Sequence, residues 1–153
     1  MSRYFEDFYP GQEIAVGSRT VSEEEIVAFA TQYDPQPFHV DHDAAAVSIF
    51  KGVIASGWHT CGMMMRLMVD NLLSESSSMG SPGVDAIRWL LPVRPGDTIS
   101  VVYQTVKVKA SDSRPDRGVV WSKWVAANQH GQTVCTIEGM GMFGRRPTEG
   151  SDA

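Results

Sequence analysis

Two side chains able to move protons sit five residues apart in Tyr33-Asp34-Pro35-Gln36-Pro37-Phe38-His39-Val40-Asp41, on a backbone stiffened by two prolines. A carboxylate and an imidazole that meet on one water can divide general base and general acid work between them. At this spacing Asp34 and His39 cannot share a helix face, but across a rigid turn they can converge on one small volume. Proline fixes its own φ and drives the residue before it out of the helical region. Asp34 and Gln36 are therefore expected to be extended, and a helix arriving from upstream is expected to stop near Tyr33. The same residues would also suit a helix-stopping loop with a surface Asp and a capping His.

The surrounding pattern supplies elements to position them. Tyr4, Phe5, Phe8 and Tyr9 ahead of Pro10-Gly11 suggest an aromatic flap closed by a turn, and Ile14, Val16 and Val21 a short strand. Ser22 and Glu25 form a capping box, and Ile26, Phe29 and Ala30 recur at helical spacing. Both predict a helix from about Glu23 to Gln32 that delivers the chain to Asp34. Asp41 is an N-cap candidate for a short helix through Ala46. From about Trp58 to Leu73 the chain is apolar on most faces, which predicts a helix enclosed by the rest of the fold. Ser74 to Gly83 reads as a loop.

From Val84 onward the period changes to two. Strands are predicted over 84–91, 98–109, 118–128 and 133–143, the last three as an antiparallel meander. The resulting α+β arrangement is a sheet of about five antiparallel strands curled around one long apolar helix, in a single domain over 1–144. The tail 145–153 lacks an apolar anchor and is expected to be disordered. Open sheet edges would be covered by a second copy, so a homodimer is expected.

Composition narrows the function. With 13 Lys and Arg against 18 Asp and Glu, the net charge of -5 argues against nucleic acid as a general partner. No run reaches the roughly 18 apolar residues of a membrane span. Cys61 and Cys135 form no CxxC pair and lie among apolar residues, as buried thiols in a reducing compartment would. A cytoplasmic protein is expected. His39-Val40-Asp41-His42-Asp43 is dense in metal-ligating types, but only His59 and His130 remain elsewhere, so neither metal nor separate cofactor is expected.

The stretch Asp34-Pro35-Gln36-Pro37-Phe38-His39 resembles the Asp-x-Asn-Pro-x-His motif of the MaoC-like hydratases, with Gln36 where that family has Asn. This family includes the (R)-specific enoyl-CoA hydratases and has the hot-dog fold. Val53-Ile54-Ala55-Ser56-Gly57 is similar to the family's Ser-Gly pair at the start of the central helix. The similarity continues through 83–89 and 92–97. The resemblance implies an acyl-CoA thioester substrate, water addition by Asp34 and His39, and substrate binding at Ser56 and Gly57. Water addition to a double bond conjugated to a thioester needs a base for the water, a proton for the α-carbon and a donor for the enolate oxygen. The Gly57 N–H, if Ser56 caps the helix, would lie in its positive first turn and could be that donor. A hot-dog acyl-CoA thioesterase and a non-catalytic acyl-CoA-binding or partner subunit are the alternatives. Arg88, Arg94, Lys107, Lys109 and Lys123 could meet phosphates, but scattered cations on strands are usually only solvated.

Overall fold

The structure is a computed structural model describing residues 2–148. Five strands, β1 (Glu13–Thr20), β2 (Val84–Trp89), β3 (Thr98–Ala110), β4 (Arg117–Ala127) and β5 (Thr133–Gly144), form one antiparallel sheet in the order β1-β3-β4-β5-β2. The predicted meander is β3-β4-β5, in which Tyr103 faces Trp124 and Trp124 faces Ile137. Alternation puts Ile99, Val101, Tyr103 and Thr105 of β3 on the buried face.

The sheet curls round helix α4 (Gly57–Asn71), whose buried stripe is His59, Thr60, Met63, Met64, Leu67 and Met68. The helix is less enclosed than its composition suggests, because the sheet covers one side only. Trp58 and Val69 are exposed on the other. A register shift between Ala15 and Ser18 bulges β1 at Gly17, where φ is 98°, and frees the Val16 carbonyl. Asn71 Nδ2 donates to that carbonyl at 2.6 Å, tying the end of α4 to the sheet.

Three short helices fill the space before α4. α1 (Glu23–Tyr33) starts at the predicted capping box, with Ser22 Oγ accepting from Glu25 N and Glu25 Oε1 accepting from Ser22 N, each at 3.1 Å. α2 (Pro37–Val40) is a single turn with Pro37 at its first position, where a missing N–H costs nothing. α3 (His42–Ala46) is capped by Asp41 Oδ1, which accepts from the amides of Asp43 and Ala44.

The N-terminal aromatics close one end of the sheet. Phe5 and Phe8 are buried, and Phe5 lies so close over Gly118 that a Cβ there would overlap its ring. The chain after β5 differs from the expected free tail at its start. Arg145 and Arg146 bind Glu6 and Asp7, and Arg145 N donates to the Asp116 carbonyl. An ionic anchor here replaces the missing apolar one. Residues 149–153, the rest of the expected tail, lie outside the described residues.

Candidate active site

Asp34 is the C-cap of α1, with its amide on the Ala30 carbonyl. Pro35 prevents the helix from continuing. The carboxylate is held from two sides: Oδ2 accepts from Ser56 Oγ at 2.7 Å and Oδ1 from Gln36 Nε2 at 2.8 Å. Burial pushes its pKa up, but the bonds from Ser56 and Gln36 and the neighbouring His39 outweigh it. The result is a carboxyl below its ordinary value.

His39 is 4% exposed on α2. Its Nδ1 lies 2.6 Å from the carbonyl oxygen of Ile54. That oxygen can only accept, so Nδ1 carries hydrogen and donates. Nε2 therefore faces Asp34, 3.3 Å from Oδ2. Two lone pairs would repel across such a gap, whereas one proton or one hydrogen-bonding water satisfies both atoms. Asp34 Oδ2 and His39 Nε2 are within reach of the same proton.

The structure brings Asp34, His39, Ser56 and Gly57 together. Ser56 occupies the N-cap position of α4, yet its hydroxyl makes no capping bond and goes to Asp34 instead. It is fully buried and stands behind Asp34 rather than among the residues lining the adjoining cavity. Gly57 does line that cavity, and its N–H, in the first turn of α4, has no partner among the described residues. The cavity, about 490 Å³, also has Asp34 and His39 in its wall, with Phe38, Trp89 and Leu90 as apolar surface. This volume suits a small organic ligand.

Three contributors had little or no sequence signal. The Ile54 carbonyl, which sets the tautomer of His39, is a backbone atom that no motif marks. Gln36, the departure from the family motif, reaches Asp34 itself. Trp89 donates from Nε1 to the Gly57 carbonyl at 2.9 Å and lies so flat against Gly57 that any Cβ there, proline's included, would overlap the indole. Glycine at 57 is thus required by packing, although its φ is not positive.

Two other features do not join the pair. His59 stacks on Phe29 at 4.7 Å and is held neutral mainly by burial; its buried Nδ1 lacks a partner. A second cavity of about 320 Å³ runs between Met65 and Met68 of α4 and the inner face of the sheet. Its titratable group is Tyr103, pushed up to about 12 by burial and so fixed as the phenol at neutral pH. Of these two cavities, the one beside Asp34 and His39 is the one with a carboxylate and an imidazole in its wall.

Residues 7–140 match the family described as the MaoC like domain. The chain belongs to that family. Among solved structures, this MaoC-like chain superposes on the MaoC-like dehydratase from Rhodospirillum rubrum with a TM-score of 0.88 and 36% identity, covering 96% of this chain and 100% of that one. It is 28% identical over 141 residues to the (R)-specific enoyl-CoA hydratase of the same species, across 89% of this chain and 83% of the relative. A conserved hypothetical protein from Mycobacterium tuberculosis, described as a double hotdog fold, superposes with a TM-score of 0.79 at 18% identity, over 99% of this chain and 47% of that one. At that identity it speaks for the fold alone, and the fold is the hot dog.

Ser56→Ala removes a hydrogen bond to a charged group and should cost about 1.5–3 kcal/mol in urea unfolding. It should also raise the Asp34 carboxyl pKa, read by NMR titration, because a bond that favours the ionised form is lost. Wild-type stability and titration together would show that the Ser56 hydroxyl does not restrain Asp34.

Proposed function

We propose that this protein is a hydratase/dehydratase that adds water to a 2-enoyl-CoA, or removes it from the corresponding 3-hydroxyacyl-CoA. The observation that carries the reading is the 3.3 Å gap between Asp34 Oδ2 and His39 Nε2, opening on a cavity beside the free Gly57 N–H. The coarse class rests on membership of the family. The substrate and the residue roles are our reading.

In this mechanism one water rests beside the 3.3 Å gap, within reach of Asp34 Oδ2 and of His39, whose Nε2 carries a proton. Its oxygen adds to the β-carbon while Asp34 takes one of its protons. Electron density moves to the thioester oxygen, where the Gly57 N–H donates to the forming enolate. His39 Nε2 then gives its proton to the α-carbon, and the proton on Asp34 crosses to His39 to restore the pair. The product carries hydroxyl at the β-carbon and hydrogen at the α-carbon; the reverse sequence dehydrates. Ser56 and Gln36 keep Asp34 ionised and oriented, and the Ile54 carbonyl aims Nε2. Both groups take part in each proton transfer, so base and acid are roles of the pair rather than fixed labels.

Asp34→Asn and His39→Gln should each slow enoyl-CoA hydration by roughly 10²- to 10⁴-fold with the fold intact. The assay follows loss of the conjugated thioester absorbance together with free thiol. Wild-type rates in either variant would remove the pair from the mechanism, and thiol release in place of hydration would identify a thioesterase.

The assembly follows from exposed apolar surface. Edge strand β2 leaves Val84 and Trp89 exposed, Leu90 and Leu91 continue the patch, and Trp58, Met65 and Val69 crop out on α4. Pairing of β2 with its copy would cover an open edge and this surface at once. Light scattering at micromolar concentration should give at least twice the chain mass; a monomer with full activity would contradict the dimer.

A further inference from the structure

Apart from Arg114 in the β3–β4 turn, which acts electrostatically on Asp116, four cations hold no ion pair, side-chain hydrogen bond or ring contact among the described residues: Lys51, Arg88, Arg94 and Lys123. Two of them are turned away from the site by strand alternation. Arg88 lies between Ile87 and Trp89 on β2, and Lys123 between Ser122 and Trp124 on β4, residues whose side chains belong to the helix-facing side of the sheet. The other two adjoin the lining of the Asp34–His39 cavity. Phe50 and Val93 line that cavity, and Lys51 and Arg94 are the next residue after each, both exposed.

These two segments are tied together. The Ala55 amide donates to the Val93 carbonyl at 2.8 Å, and Arg94 Nη1 lies 3.6 Å from the position a Cβ would take on Gly52. The guanidinium of Arg94 thus overlies the backbone next to Lys51. The nearby acid is committed elsewhere: Asp97 accepts from the Arg94 amide through Oδ2 and from Gln129 through Oδ1, with no ion pair to the Arg94 side chain. Lys51 has φ 57°, the one positive φ at a non-glycine among the described residues. Such a conformation is disfavoured for a side chain with a Cβ and persists where the surroundings impose it. Here they do: Lys51 N donates to Ser48 O, and Gly52 N to Ala45 O.

We infer that Lys51 and Arg94 form an anion subsite that holds the phosphate groups of coenzyme A beside the cavity. The assignment rests on the acyl-CoA reading of that cavity. On a chain of net charge -5, two unpaired cations adjoining one cavity are a local exception that an anionic substrate would meet. Arg94 supplies a planar fork for phosphate oxygens and Lys51 a mobile point charge. The acyl end of the same molecule reaches Asp34 and His39.

The test uses Lys51→Gln, Arg94→Gln and the double variant, which remove charge but keep most of the side-chain volume at exposed positions. Calorimetric titration with coenzyme A should show affinity falling about tenfold for each single change and about a hundredfold for the double, with the difference shrinking as salt rises. In turnover, the preference of the wild-type protein for an enoyl-CoA over the same enoyl group on pantetheine, which lacks the phosphates, should collapse by the same factor. Unchanged coenzyme A affinity and unchanged preference in the double variant would overturn the subsite, as would a wild-type protein that does not bind coenzyme A. The two proposals fail separately. Coenzyme A binding that depends on Lys51 and Arg94, without hydration, sinks the hydratase and keeps the subsite; hydration indifferent to both cations does the reverse.

Discussion

The arrangement depends on one line of hydrogen bonds: Ser56 hydroxyl to Asp34, Asp34 facing His39, and His39 to the Ile54 carbonyl. Each link is directional and largely sheltered from water, where a charged hydrogen bond is stronger and an unmade one more costly. The line joins the end of α1, the single turn of α2 and the strand-like segment entering α4. A change in how α1 meets α4 would therefore displace Asp34 from His39 before it disturbed the sheet. The structure uses two hydrogen-bond supports on Asp34 and one on His39, which limits the orientations of both groups in advance of any ligand.

The local parts of this line were legible in the chain. Pro35 and Pro37 require the break after α1 and permit the turn that carries His39. The capping box at Ser22 and Glu25 fixes where α1 begins, and Asp41 caps α3 as its position suggests. Strand positions followed from period-two alternation, with ends differing by a residue or two, since fraying ends carry little pattern. What was not legible is tertiary. A serine before a helix reads as a cap whichever way its hydroxyl turns, and only the packing of α1 on α4 presents it with Asp34. Trp89 and Gly57 are far apart in sequence, so nothing in either segment announces that an indole will lie on that glycine. The tail was misjudged at Arg145 and Arg146 because ionic anchoring leaves no periodic trace.

Trp89 ties the start of α4 to the open edge of the sheet. It ends β2, lines the cavity, donates to the Gly57 carbonyl and meets Trp58 edge-on at 5.3 Å, while remaining partly exposed. The residue whose N–H is the proposed oxyanion donor is thus held, through its carbonyl, by a side chain on the strand proposed to pair with a second copy. Geometry at the site and coverage of the edge are linked through one residue, which gives a physical reason for placing a cavity beside an edge strand.

The central claim is that Asp34 and His39 act on the same water as one unit. The most direct measurement is the hydration rate of the double variant Asp34→Asn/His39→Gln beside the two single variants and wild type. Groups that share one proton-transfer task lose it once, so the double variant should be about as slow as the slower single variant. Rate losses that multiply, giving a double variant slower by the product of the two, would show that the residues contribute independently and would contradict the shared water.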